Sequence, residues 1–220
     1  MNEPTPCRVA GWSAAPITKA IRFLLVVVLL LAFPLSARSQ ILVTFDDLSA
    51  TPPGPIPNGY QGLDWSNDFQ VLDARGVANS GVGTNGYYYG MVSPSNVAFN
   101  AGGYPTEVDS ATDLDFFSAY LTGAWNSNLN IQVEGFNGAQ EIYNTIVVAS
   151  ATNPTLFTFD YFDIDRLYFN SYGGEPAFGV AANTFVMDNF LFEFIPEPST
   201  LLLVVLGAVP LCALLRCKRT

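Results

Sequence analysis

Chemistry in this chain has to be done without imidazole, because the 220-residue sequence contains no histidine. Its three cysteines, Cys7, Cys212 and Cys217, lie near the two ends, and residues 40–194 contain no lysine. Ser-His-Asp, Cys-His and Ser-Lys catalysis are excluded, as are zinc sites of the usual Cys/His kind. Carboxylates and tyrosines are the remaining acid–base groups. One constellation of oxygen ligands follows from strand parity. If Ile41, Val43 and Phe45 face a core, Asp47 shares their side. If Val186, Phe190, Phe192 and Phe194 face it, Asp188 does too. First and last strands of a sandwich are often neighbours, so Asp46, Asp47, Asp188 and Asn189 are expected to meet. Two inward carboxylates with no lysine nearby repel unless an ion or a shared proton intervenes. An all-oxygen set suits Ca²⁺ as a structural ion better than a transition metal. The competing expectation is that both aspartates sit at hydrated strand ends, accepting bonds from turn amides.

The aromatic residues offer a second chemistry. In a strand, Tyr87-Tyr88-Tyr89 alternate faces, so at least one ring is expected outside. Trp65 and Trp125 stand beside Asp, Asn, Ser or Ala, near chain turns. Exposed rings at Trp65, Tyr88 and Trp125 with amides and carboxylates around them would suit neutral sugars, by stacking and rim hydrogen bonds. Burial in a β core is the ordinary fate of both tryptophans. The acid pairs Asp113 with Asp115 and Glu134 with Glu141 could support glycoside hydrolysis if held about 5–9 Å apart. Arg166, within Asp163-Ile164-Asp165-Arg166, is expected to pair with a neighbouring carboxylate at the surface, which stabilises little.

The elements that must position these groups read as strands. Residues 41–45, 60–65, 69–72, 87–92, 96–99, 114–121, 156–159, 166–170 and 185–194 are each bounded by Gly, Pro, Ser or Asn. Residues 51–59 and 76–86 are Pro- or Gly-rich and read as loops. The clearest local signal is Leu129, Ile131 and Val133 alternating with Asn130, Gln132 and Glu134, followed by Asn137-Gly138 and a second strand over 141–148. Asn-Gly accepts positive φ at both central positions, so a type I′ hairpin is expected. Many short strands without a 3.6-residue period predict an all-β domain, an antiparallel jelly-roll-like β-sandwich with almost no helix.

Both ends of the chain differ from this middle. Arg8, Lys19 and Arg22 precede an apolar run over 23–33, then Pro34 and small residues at Ala37 and Ser39. That is the pattern of a secretory signal peptide over 1–39, cleaved before Gln40. Residues 40–194 form the exported β-sandwich. They hold 17 acidic and 2 basic residues, a formal charge of −15. Nothing there can neutralise phosphates, which excludes nucleic acid as a partner.

Residues 195–220 carry Pro196-Glu197-Pro198, Ser199-Thr200, the apolar run Leu201 to Leu215, and the basic cluster Arg216, Lys218, Arg219. As a short hydrophobic helix the 15-residue run spans about 22 Å, less than the roughly 30 Å hydrocarbon core. The basic cluster favours the cytoplasmic side, which turns the sandwich outward. These three parts in this order resemble the PEP-CTERM sorting signal of exported bacterial surface proteins. The resemblance covers about 25 residues. It implies a transient membrane segment, cleavage near the motif by an exosortase-type enzyme, and delivery to the cell surface or the medium alongside exopolysaccharide. A non-enzymatic structural or adhesive role is expected; the alternatives are a calcium-stabilised carbohydrate-binding module and a carboxylate-dependent glycosidase.

Overall fold

Alternation of apolar and polar residues dictates two stacked antiparallel layers, and the computed structural model, which describes residues 39–196, has them. The leader with Ala37, the Glu197-Pro198 step, the apolar run and Arg216, Lys218 and Arg219 lie outside the described residues. Ser39 and Pro196, at the limits, are exposed. Among the described residues no helix is long and apolar enough to cross a membrane.

The strands are β1 (Ile41–Val43), β2 (Gly54–Pro55), β3 (Asp64–Trp65), β4 (Phe69–Asp73), β5 (Asn96–Asn100), β6 (Thr106–Gly123), β7 (Asn126–Ser127), β8 (Leu129–Asn137), β9 (Gln140–Ala149), β10 (Thr155–Tyr172), β11 (Glu175–Pro176) and β12 (Phe185–Phe194). Ten of them share one hydrogen-bonded path, β2-β4-β5-β12-β6-β10-β8-β9, with β1 on β12 and β3 on β6. The path makes a sandwich because β6 and β10, each 18 residues long, bend between layers. Register shifts punctuate their pairing between Thr158 and Arg166, where Asp160 and Asp163 take positive φ. Bulges of this kind let one strand serve two sheets. One layer is β3, the first half of β6, the second half of β10, β8 and β9. The other holds the remaining halves of β10 and β6, then β12, β5 with β1, β4 and β2.

Aromatic rings fill the space between. Trp65 meets Phe69 edge-on at 5.3 Å, and Phe116 stacks on Phe190 at 4.7 Å. A second, smaller core of Leu72, Tyr87, Val97, Phe99 and Val186 lies on the far side of β12, under the helical segments. That explains why β12 reads as a nearly unbroken apolar run: both of its faces are covered.

Three local expectations are corrected. Residues 87–92 are no strand; Gly86–Gly90 is a helical turn, which we call α2 after the shorter α1 (Ala74–Val77). The Asn85 side chain caps α2 by accepting from the Tyr87 N–H. Gly86 donates to the Ala124 carbonyl, and a Cβ at Gly86 would fall 1.9 Å from the Gly123 oxygen, so only glycine allows that approach. The stretch 76–86, expected as loop, begins as helical turns. In the 129–149 hairpin Asn137 pairs with Gln140, so the two turn residues are Gly138 and Ala139. Of these only Gly138 has positive φ, as in a type II′ turn and not the expected I′.

Candidate functional site

The outer face of the β3-β6-β10-β8-β9 layer gathers polar and aromatic side chains in register. Along β8, Leu129, Ile131 and Val133 are buried, while Asn130, Gln132 and Glu134 point outward. Along β10, Leu167, Phe169 and Ser171 are buried, and Arg166, Tyr168, Asn170 and Tyr172 face the other way. Cross-strand pairing lines these up. Glu107, Tyr168, Glu134 and Asn144 form one row across four strands. Asn170, Gln132 and Ile146 form the next, and Tyr172, Asn130 and Val148 the one beyond. At about 4.8 Å per strand, the first row spans some 14 Å.

The face is prearranged by hydrogen bonds. Gln132 donates through Nε2 to Glu134 Oε1 at 2.7 Å and to Asn144 Oδ1 at 3.2 Å. Asn144 Nδ2 donates to Glu134 Oε1 at 3.3 Å and to Glu141 Oε1 at 2.9 Å. Partial burial raises the Glu134 carboxyl above its ordinary range, the charge of Glu141 adds to this, and the Gln132 bond opposes it. Burial, then Glu134 and Glu107, raise the Tyr168 phenol, which keeps its O–H as a donor at neutral pH. Arg166 faces Asp109 across the strands and lies over the Phe136 ring, 4.2 Å from its centroid. Its sequence neighbour Asp165 accepts from the Gly138 N–H at 2.7 Å.

Sequence reasoning reached Glu134 and Glu141 only as an acid pair, and it passed over Tyr168, Gln132 and Asn144. The signal was weaker than in 129–134: Leu167-Tyr168-Phe169 run together, and Ser171 puts a polar residue on the buried side. What sequence could not supply is which strands lie side by side.

The expected glycan-stacking residues are not brought together. Trp65 is only 2% exposed. It is wedged edge-on against Phe45, Phe69 and Phe190 and donates through Nε1 to the Tyr60 carbonyl at 3.1 Å. It cannot stack on a sugar. Tyr88 and Trp125 are half-buried at the end of the sandwich that holds α2, where Tyr88 meets Tyr89 and Trp125 meets Tyr87, both edge-on. Burial pushes the Tyr87 phenol up to about 12.

The expected calcium cluster fares differently from its parity argument. β1 does pair with β12, placing Val43 opposite Phe190. However, Asn189 takes φ +50 and shifts the register of β12. Phe185 and Met187 face the main core before the bulge, Phe190 and Phe192 after it, and Asp188 is turned to the other side. There it is fully buried, and its two oxygens accept four hydrogen bonds: from the Val92 N–H (2.7 Å), the Ser93 N–H (2.8 Å), the Ser93 hydroxyl (2.9 Å) and its neighbour Asn189 N–H (2.7 Å). Asp46 and Asp47 occupy a turn closed by the Leu48 N–H on the Phe45 carbonyl. Asp46 accepts from the Asn96 N–H, and Asp47 accepts the Tyr60 hydroxyl at 2.5 Å. The lone pairs of Asp188 that a cation would need are taken by donors. Among the described residues no group of three or more acidic, cysteine or histidine side chains is placed to hold a metal. EDTA is expected to leave the melting temperature unchanged, as read by scanning calorimetry; a fall that added calcium reverses would restore the ion.

The other acid pair, Asp113 and Asp115, differs in burial. Asp115 is buried and accepts from the Asp163 N–H at 3.0 Å, while Asp113 is exposed at the bend of β6. A groove of about 290 Å³ between Ala50, Thr51, Pro53, Gly76 and Ser80 holds one carboxylate, Asp73, which caps α1.

No family model matches the sequence, and no curated protein matches it. Two solved structures overlap in chain path. One is described as TmCBM61 in complex with beta-1,4-galactotriose: TM-score 0.36, 9% identity, covering 68% of this chain and 94% of that one. The other is CBM29_1, a family 29 carbohydrate binding module from Piromyces equi: TM-score 0.36, 12% identity, covering 74% of this chain and 95% of that one.

Proposed function

We propose that this is an exported, non-enzymatic adhesive component of a bacterial extracellular matrix, which binds neutral polysaccharide on the outer face of its β3-β6-β10-β8-β9 layer. The row Glu107, Tyr168, Glu134 and Asn144, tied to Gln132, carries the reading. Sugars need a ring to stack on and fixed acceptors and donors for their hydroxyls; Tyr168 and the amide–carboxylate network supply both on an open sheet surface. Preformed bonds lower the ordering cost of binding. The leader and the Pro196-Glu197-Pro198 tail support delivery to the cell surface through an exosortase-type enzyme, with the membrane as a temporary host and exopolysaccharide as the natural ligand.

Hydrolysis is not part of the proposal. Glu134 and Glu141 accept from the same Asn144 amide on an open face, whereas glycosidases hold their two acids on either side of the scissile bond. The test is affinity electrophoresis in gels containing the producing cell's own exopolysaccharide. Retarded migration is expected; migration equal to that in a polymer-free gel would remove the reading.

A further inference from the structure

Strand edges present unpaired N–H and C=O groups, and natural sheets blunt them with Pro, charge, bulges or brevity. Four edges of this sandwich do so. β2 and β3 are two residues long, and β2 contains Pro55. β1 is three residues long and is followed by Phe45 at φ +62. The free half of β10 starts after Pro154 and is broken by Asp160 at φ +50. β9 carries Glu141 and a bulge at Ile142 only at its start; from Tyr143 to Ala149 it has none of these devices. It runs ten residues, ends the sheet path with no strand beyond it among the described residues, and exposes Ile142, Ile146 and Val148. From Ile142 to Phe159 the sequence has no charged residue, in a domain of formal charge −15.

We infer that β9 is the pairing edge for a second copy of this chain, joined β9 to β9 antiparallel about a two-fold axis at Thr145. Charge selects that occupant. Two such acidic domains repel over most of their surface, and this strand is where the like charges are missing. Over the regular stretch the register is self-complementary: Tyr143 meets Val147, and Asn144 meets Ile146. The strand's acid, Glu141, lies beyond the bulge and outside this register. Side chains keep their faces because opposed residues share parity. Isologous pairing of this kind closes at two copies.

The inference stands apart from the glycan reading and has its own test. In the full chain with Cys7, Cys212 and Cys217 changed to Ser, Thr145→Cys places two thiols directly across the axis, within the Cα range of a disulfide. Mild oxidation is expected to give covalent dimer at least tenfold above the yield from Thr84→Cys in an exposed loop. Adding Ile146→Glu, at a position already 53% exposed, is expected to bring the yield down to the Thr84→Cys level while the circular dichroism stays β-rich. Equal yields from Thr145→Cys and Thr84→Cys overturn the proposal. So does a Thr145→Cys dimer that Ile146→Glu leaves intact, or β9 linked to an unrelated protein.

Discussion

Asp188→Ala is expected to lower the unfolding free energy by about 3 kcal/mol at neutral pH, measured by urea denaturation. The carboxylate serves three backbone N–H groups and one hydroxyl in a buried site. A buried donor left without a partner costs about 1–3 kcal/mol, and several are left at once. Relief from burying a charge offsets part of the loss. That offset sets a pH signature. Burial raises the Asp188 carboxyl to about 6 from 3.8, although its hydrogen bonds pull the other way. Between about pH 4 and pH 6 the folded domain then binds a proton that the unfolded chain has released, so stability falls as pH rises through this window and levels off above it. At about 1.4 kcal/mol per unit, this one group contributes up to about 3 kcal/mol. Asp109 and Glu134 are also raised and add the same sign. Asp188→Ala is expected to show a shallower slope, with its deficit widest near pH 4. A wild-type unfolding midpoint that rises from pH 4 to 7 would contradict this account.

Tyr168→Ala is expected to weaken polysaccharide binding about 10- to 100-fold, corresponding to a loss of some 1.5–3 kcal/mol from ring contact and hydroxyl together. Tyr168→Phe keeps the ring and is expected to lose only part of that. Tyr88→Ala and Trp125→Ala, at the α2 end, are expected to migrate like wild type in the same gels. This contrast separates the two aromatic regions, because the stacking candidates named from sequence were Trp65, Tyr88 and Trp125. If Tyr88→Ala abolishes retardation and Tyr168→Ala does not, the site lies at the α2 end.

The fold was legible where strand periodicity was unbroken. The 129–148 hairpin follows from alternation and a glycine turn. Strands 69–72, 96–99 and 185–194 follow from apolar stretches bounded by Gly, Pro, Ser or Asn, and the pairing of the first strand with the last from the usual arrangement of a sandwich. The acid-rich, thiol-free composition removed whole classes of catalysis without any coordinates. What was not legible traces to single residues. Asn189, in left-handed backbone within an apolar run, inverts the parity on which the Asp47–Asp188 argument rested. Asn85 and Gly86 convert three tyrosines, good strand formers, into a helical turn by capping and by close approach to residues 123–124. Trp65 sits next to an exposed Asp64 yet is sealed in the core, because a two-residue strand gives no pattern from which to read a side. The candidate face escaped for another reason. Its residues come from four strands separated by up to 61 positions, and long-range neighbourhood is not written in local periodicity.

Because β1 opens beside the end of β12, with Ile41 opposite Phe192, the domain's two connections leave from the same pole. A tether at Ile195 would thus pull along β12. That strand is bonded to β6 on one flank and to β1 and β5 on the other, so a tensile load would be shared lengthwise by two ladders at once, in shear. Under the proposed binding role, a pull on the polymer would load β12 in shear against both flanks, a geometry that resists peeling strand from strand.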